Sequence, residues 1–247
     1  HREENIESPK SFEKLVKLLG GTYIEFTMES KLCANPFSAI PMENAENMLF
    51  MLKPIVSLMA APKDNTNDLE NTFIEKALQS AWQQKGREAS ITDVANNLLA
   101  MDRNEANEIG LKLYPYTEKG DYGKFFNGKS NINLRSNLVV LELEELKERK
   151  DLQAVMVQMM ILLVTSQIYM GDRKVTSQLV LDECWDLLRS KQSEEFIETA
   201  ARRLRKYNGS LVTGSQSVND YYASPGAEAA FENSDWLILL EQKDSSI

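Results

Sequence analysis

The order of apolar and polar positions divides the chain into short strands and longer helices. Five short runs predict strands, because they are apolar or alternate between apolar and polar residues: 22–27, 138–143, 178–182, 210–213 and 236–240. Between them, apolar residues at helical spacing predict helices over 152–170 and 194–207. Short apolar strands separated by helices are typical of a parallel sheet that helices cover on both faces. The pattern therefore predicts an α/β fold with a mostly parallel sheet.

A further helix is predicted at the amino-terminal end of the chain. It begins near Ser8 and Pro9 and stops at the glycine pair Gly20 and Gly21. One face of this helix is apolar and consists of Phe12, Leu15, Val16 and Leu19.

Residues 43–115 follow helical spacing almost throughout and contain no strand pattern. Ser90 and Asp93 form a capping-box pattern that opens one helix, and Pro54 is expected to kink or end the first one. A loop rich in Gly, Lys and Asn then leads to the next strand. We therefore expect three parts, namely the start of the core over 1–42, an all-α insert over 43–135 and the rest of the core over 136–247.

The composition is that of an ordinary globular protein, with 43% hydrophobic and 26% charged residues in a chain of 247. The net charge of −9 disfavours broad, non-specific binding of nucleic acid, although a local basic cluster can still bind phosphate. Cys33 and Cys184 lie far apart in sequence and suggest neither a disulfide scaffold nor a metal site. This use of cysteine fits a reducing cytosol.

Two features of the chain bear on membranes and on its extent. The apolar stretch 154–164 is too short to span a bilayer, so we interpret it as part of a buried helix. The first residue is His1, and no signal-peptide pattern follows it. We therefore expect the sequence to be a piece of a longer protein.

Residues 123–130, GKFFNGKS, match the P-loop pattern G-x-x-x-x-G-K-[ST] letter for letter. A working P-loop follows a strand and precedes a helix, so that backbone N–H groups and the helix N-terminus face the phosphates. Here a loop precedes the motif, a strand follows it, and the bulky Phe125 and Phe126 occupy its interior. We interpret the motif as a surface turn in which these two phenylalanines anchor the loop to the core.

The strongest candidate chemistry lies at the end of the third predicted strand. Residues 179–183 read LVLDE, an apolar strand that ends in two acids, as a Walker B motif does. In that motif Asp182 holds the Mg²⁺ shell, and Glu183 orients or activates the attacking water. The carboxyl edge of a parallel sheet is also where ligands bind. The alternative is that both acids are solubilising residues of a loop.

Two more candidates lie around the next strand. Gln216 follows that strand, and its amide both donates and accepts hydrogen bonds, so it suits a place between the acids and a γ-phosphate. The helix before the strand ends in a basic cluster that consists of Arg202, Arg203, Arg205 and Lys206. This cluster is either an arginine finger that reaches a neighbouring subunit's nucleotide or a solvated basic helix end.

Three segments together resemble the TraC family of ATPases of conjugation and type IV secretion. They are LVLDECWDLL, RRLRKYNGSLVTGSQSVNDYY and SDWLILLEQKDSSI, and the stretches SFEKLVKLLGGTYIEFTMES and YGKFFNG also resemble family segments. The resemblance implies a RecA-like P-loop NTPase core with an all-α insert, acting as a hexameric motor of the HerA/FtsK class. It also implies a cytoplasmic protein that docks at the inner membrane with other secretion-system subunits.

The resemblance also implies roles for particular residues. Asp182 and Glu183 match the family's Walker B acids, Gln216 matches the glutamine after the next strand, and ATP and Mg²⁺ are the implied ligands. Arg205 best matches the basic residue that related motors use in trans, with Arg202 and Arg203 as alternatives. The family's true P-loop is expected upstream of residue 1, so no residue of this chain is assigned to the phosphate loop. Alone, the chain is expected to be inactive.

Three functions follow from this resemblance. The first is an ATPase motor that energises substrate transport or pilus assembly. The second is a docking and assembly module that retains the motor fold without catalysis. The third is a DNA-pumping translocase of the same superfamily, against which the acidic charge argues mildly.

Overall fold

The structure is a computed structural model that describes residues 11–40, 45, 49–62, 66–134, 136–170, 174–182, 204–222 and 225–240. Helix α1, Ser11–Leu18, ends before Gly20, whose φ of +68° lies in the left-handed region, as the glycine pair predicted. Only Val16 of its predicted apolar face is buried, and Phe12, Leu15 and Leu19 are exposed.

The described strands form two parallel pairs. Strand β1, Thr22–Glu25, pairs with β2, Val139–Glu142, although more than a hundred residues of sequence lie between them. Strand β3, Ser177–Leu181, pairs with β4, Gly209–Thr213. The prediction of parallel pairing is confirmed for these four strands.

The prediction of a strand over residues 236–240 is wrong. In the described part of the chain this segment has no strand assignment, and all of its side chains are exposed, from 56% for Leu237 to 88% for Trp236. An apolar run favours a strand only where a neighbouring strand supplies ladder hydrogen bonds, and no described strand pairs with this one.

The helical block contains helices α2, Lys53–Ala60, α3, Asp68–Lys85, α4, Ile91–Leu99, and α5, Asn104–Lys112. The predicted capping box of Ser90 and Asp93 opens α4. Pro54 lies in the first turn of α2, so the expectation that it kinks or ends a helix is wrong. The first turn tolerates proline because the N–H groups there have no intrahelical partner.

Three more helices complete the described fold. They are α6, Gly123–Phe126, α7, Lys150–Met170, and α8, Pro225–Glu232. Most of the helix predicted over 194–207 lies outside the described residues, and its end forms the 3₁₀ helix Arg205–Tyr207.

One apolar core joins the helical block to the first strand pair and to α7. It includes Phe26 next to β1, Ile55 of α2, Leu98 of α4, Phe126 of α6 and Met156 of α7, all of which are 0% exposed. Helix α7 packs on α2 and on the 3₁₀ helix Pro36–Ala39. The division of the chain at residues 42 and 135 stays a prediction.

Within α7, Lys150–Ile168 is the one described helix whose length and apolar composition would allow it to cross a membrane. The helix is longer than the apolar stretch 154–164, so the length argument against a span was wrong. Buried side chains make up 59% of its apolar window, which is also typical of the core helices of globular domains.

The second strand pair is more exposed than the sequence suggested. The expectation of a buried Walker B strand is wrong for one face of β3, where Val180 is 57% exposed, and Val212 of β4 is 41% exposed. In both strands, partly buried and exposed positions alternate. The pair is therefore covered on one face within the described residues, which is why continuous apolar sequence did not produce full burial.

Candidate functional site

The carboxyl ends of β3 and β4 meet at one edge. Leu181 is in register with Thr213, and the Gly214 N–H donates to the Leu181 carbonyl oxygen at 2.9 Å, which extends the ladder by one residue. Asp182 follows directly. A Cβ on Gly214 would lie 3.0 Å from Asp182 Oδ1, so the missing side chain leaves room for the carboxylate. The Asp182 carboxylate thus lies against the start of the turn that follows β4.

That turn folds back on itself through polar contacts. The Ser217 N–H donates to Ser215 Oγ at 3.3 Å, and the Ser215 hydroxyl donates to the Asp220 carboxylate. The chain then forms the 3₁₀ helix Val218–Tyr222. The Tyr221 hydroxyl donates to the Thr213 carbonyl oxygen at 3.1 Å.

Asp182 and Gln216 therefore belong to the same sheet edge, as the sequence predicted from two parallel strands that end in polar residues. Both side chains are exposed there. Glu183, Arg202 and Arg203 lie outside the described residues. Their roles stay predictions.

Arg205 occupies a different place in the fold. It begins the 3₁₀ helix Arg205–Tyr207, which leads through Asn208 into the amino-terminal end of β4. Asn208 has a φ of +57°, and its carbonyl oxygen accepts from the N–H of Ser177 at 3.1 Å. A five-residue strand is roughly 16 Å long, so Arg205 and Asp182 lie at opposite edges of the pair within one chain.

A magnesium ion at this edge would have few protein ligands. Among the described residues, no group of three or more His, Cys, Asp and Glu side chains could hold a metal. Mg²⁺ in nucleotide sites commonly takes one or two carboxylates and fills its other positions with water and substrate phosphates. The exposed carboxylate of Asp182 fits that donor set, with Glu183 as its neighbour in sequence.

A second acidic edge was missed by sequence reasoning. Glu25 and Glu142 are in register at the carboxyl ends of β1 and β2, and Glu142 Oε1 accepts from the N–H groups of Leu143 and Glu144 at 3.0 Å each. Burial and the charges of Glu142, Glu25 and Glu13 raise the pKa of Tyr23 to about 12. The sequence signal that could have revealed this edge is the glutamate at the end of each strand, Glu25 in β1 and Glu142 in β2.

The motif over residues 123–130 is not a phosphate loop. Three of its N–H groups are used locally, since those of Gly123, Phe125 and Asn127 donate to carbonyl oxygens at 3.1, 3.0 and 3.0 Å. Phe125 and Phe126 are fully buried. The interpretation that these two rings anchor the motif to the core is confirmed, but Gly123–Phe126 forms a short helix where a surface turn was expected.

Asn127 in the same loop connects three parts of the helical block. Its side chain accepts from the N–H of Thr92 at 2.9 Å and donates to the carbonyl oxygens of Tyr116 at 2.8 Å and Gly123 at 2.7 Å. Gly123 itself allows close backbone approach, because a Cβ there would lie 2.0 Å from the Thr117 carbonyl oxygen. Gly123, the first glycine of the P-loop pattern, therefore serves packing, and Asn127 inside the motif ties the loop to the helical block.

We expect Lys129→Ala to leave nucleotide affinity unchanged within about twofold. Lys129 occupies the position of the P-loop lysine, but it is exposed, and three of the motif's amides, those of Gly123, Phe125 and Asn127, already donate to nearby carbonyl oxygens. Calorimetric titration of the full-length protein with Mg-ATP measures this, with the wild type in parallel. A tenfold or greater loss of affinity would contradict the structural assignment of the loop.

Comparison with known sequences gives a consistent result. The sequence profile of the TraG P-loop domain family matches residues 5–246. Protein TraC of Escherichia coli (strain K12) is 29% identical over 248 residues, which cover 94% of this chain and 28% of TraC. Type IV secretion system protein virB4 of Bartonella henselae is 21% identical over 202 residues, which cover 80% of this chain and 25% of that protein. The chain thus spans about a quarter of the length of these relatives.

Comparison with solved structures gives the fold. VirB4 of Thermoanaerobacter pseudethanolicus superposes with a TM-score of 0.76 at 19% identity, over 96% of this chain and 69% of that chain. The bacterial conjugative coupling protein TrwB superposes with a TM-score of 0.53 at 15% identity, over 85% of this chain and 55% of that chain. The predicted α/β fold of the P-loop NTPase type is confirmed, and since the family profile covers nearly the whole sequence, the chain belongs to the TraG P-loop domain family.

Proposed function

We propose that this chain is part of the ATP-hydrolysing motor domain of a type IV secretion system, where it energises substrate transport or pilus assembly. The observation that carries the proposal is the shared edge of β3 and β4, where the Asp182 carboxylate lies beside the turn that bears Gln216. Ligands of open α/β sheets bind outside the carboxyl ends of the strands.

The proposed roles follow from the chemistry of each side chain. Asp182 would hold the water shell of the Mg²⁺ that accompanies ATP, and this ion would supply charge neutralisation when bound. The carboxylate of Glu183 accepts a hydrogen bond from the attacking water and orients it. The Gln216 amide donates toward the γ-phosphate from the neighbouring strand end. Arg205 serves the site of an adjacent subunit.

The surroundings of the motor are part of the same proposal. The names of relatives place them in type IV secretion, which supports other secretion-system subunits as partners. A hexameric ring would provide the adjacent subunit whose site Arg205 serves. The location that fits is the cytoplasmic side of the inner membrane. A purely docking role predicts no ATP turnover, and a DNA-pumping role predicts turnover that single-stranded DNA stimulates.

The test is the magnesium dependence of ATP hydrolysis by the full-length protein. Asp182→Asn should raise the Mg²⁺ concentration for half-maximal phosphate release by roughly tenfold, because the amide keeps the shape but removes the charge that attracts the ion. Asp235→Asn, which changes an exposed acid beyond α8, is the matched control and should keep the wild-type requirement. Wild-type magnesium dependence in Asp182→Asn, or a wild type that releases no phosphate, would overturn the proposal.

A further inference from the structure

The turn between β4 and the 3₁₀ helix Val218–Tyr222 is closed by two side-chain contacts, each of which joins a residue before Gln216 to a residue after it. Before Gln216, the Thr213 carbonyl oxygen accepts from the Tyr221 hydroxyl at 3.1 Å, and Thr213 Oγ1 lies 3.0 Å from the same hydroxyl. Nearer to it, the Ser215 hydroxyl donates to the Asp220 carboxylate. The two contacts together fix both ends of the segment that carries Gln216.

The two tyrosines of the 3₁₀ helix Val218–Tyr222 pack their rings against α8. The ring of Tyr221 lies 5.6 Å from that of Phe231 in α8, and the ring of Tyr222 lies 5.7 Å from the same phenylalanine. The hydroxyl of Tyr221 therefore links a packed ring to the last residue of β4. Its partner Thr213 is in register with Leu181, the residue before Asp182.

Side-chain hydrogen bonds stabilise many surface turns, and here they enclose the segment that carries the exposed Gln216. Gln216 is exposed, whereas Thr213, Ser215, Asp220 and Tyr221 around it are all partly buried. An amide that stabilises charge in a transition state is more effective when it is held in place before the reaction. Misplacement of such a group by about 1 Å can lower the reaction rate as much as 10²-fold.

We infer that Tyr221 and Asp220 are positioning residues that hold the Gln216 amide at the edge shared with Asp182. They act on the reaction only through Gln216, by fixing the Gly214–Ser217 backbone against the end of β4. This inference rests on the proposed ATPase function. It assigns a purpose to polar contacts that neither the Walker B acids nor the core explains.

The first experiment compares Tyr221→Phe with Tyr222→Phe in the full-length protein. Both variants keep the ring that packs on Phe231, but only the first removes the hydroxyl that reaches Thr213. We expect Tyr221→Phe to lower kcat for ATP roughly fivefold to tenfold, with KM within about twofold and an unchanged thermal midpoint. Tyr222→Phe should match the wild type. Equal kcat in all three proteins would overturn the inference.

The second experiment asks whether Tyr221 acts through Gln216. If it does, Tyr221→Phe should cost nothing further in a Gln216→Ala background, so the double variant should equal Gln216→Ala alone. A loss that multiplies would show an independent, structural effect and contradict the inference. Asp220→Asn keeps an acceptor oxygen for Ser215 and should retain most activity, whereas Asp220→Ala should resemble Tyr221→Phe.

Failure of the proposed function and failure of this inference give different experimental results. A wild-type protein that hydrolyses no ATP overturns the proposed function and this inference together. A wild type that is active and needs the Asp182 carboxylate, combined with a fully active Tyr221→Phe variant, overturns the inference alone.

Discussion

Gly123→Ala is expected to destabilise the junction between the loop and the helical block by roughly 3 kcal/mol or more. The added Cβ would lie 2.0 Å from the Thr117 carbonyl oxygen and 2.8 Å from the Thr117 carbonyl carbon. Both are backbone atoms, so no flexible side chain can move aside to make room. Overpacking a rigid site typically costs about 1–3 kcal/mol and occasionally more, and a backbone clash belongs at the upper end.

Hydrogen exchange in the full-length protein measures this destabilisation locally. Amides in the segment around Gly123 should exchange roughly 100-fold faster in the variant, since 1.4 kcal/mol corresponds to about a factor of ten. Lys129→Ala, an exposed change in the same loop, serves as the control and should leave the exchange rates as they are in the wild type. If Gly123→Ala instead kept its protection and lost ATP affinity, residues 123–130 would be a phosphate loop after all.

The helices were more predictable than the sheet, and their caps show why. Ser90 and Asp93 satisfy N–H groups within four residues of each other, so their capping box is legible from a short stretch of sequence. The prediction for Pro54 was wrong because proline occurs both after helices and in their first turn. Pro54 lies in the first turn of α2 because a separate 3₁₀ helix, Leu49–Leu52, precedes it.

Strands depend on partners that a sequence pattern does not contain. The parallel pairing of β1 with β2 joins residues separated by the whole helical block. Residues 236–240 carry a stronger apolar run than either strand and still form no strand with any described residue. Pairing is a tertiary property, and apolar content alone does not predict it.

The candidate site also has features that the sequence predicted and features that depend on tertiary structure. Asp182 and Gln216 were predictable because the carboxyl ends of neighbouring parallel strands lie at one edge, whatever the details of packing. The contact of Tyr221 with Thr213 was not predictable, because it depends on how a nine-residue segment turns back. The exposure of Val180 was missed for a related reason, since burial depends on what covers the sheet.

The position of Arg205 bears directly on the proposed ATPase motor. Arg205 and Asp182 lie at opposite edges of the β3–β4 pair, roughly 16 Å of strand apart. An arginine side chain reaches less than half of that distance, so service to its own chain's site is geometrically unfavourable. Contact with the site of an adjacent subunit is the remaining catalytic role, and a solvated helix end is the alternative.

The last prediction is that Arg205→Ala lowers ATP turnover by about 10³-fold while each subunit still binds ATP. The planar guanidinium donates in a fixed fork to the γ-phosphate oxygens as charge develops, so Arg205→Lys should restore little. Phosphate release beside a nucleotide-binding assay measures both quantities. Turnover within about twofold of the wild type would assign the cluster to the solvated surface, with Arg202 and Arg203 as the next variants.

A mixing experiment then tests whether the arginine acts between subunits. Glu183→Gln subunits lack the carboxylate that orients water, and Arg205→Ala subunits lack the finger, so each is nearly inactive alone. Rings that contain both should regain activity, because some interfaces join an intact Glu183 to a neighbour's intact Arg205. Tagged subunits purified in tandem establish that mixed rings have formed. Mixed rings that stay as inactive as the parents would show that Arg205 does not act between subunits, so that it acts within its own chain or not at all.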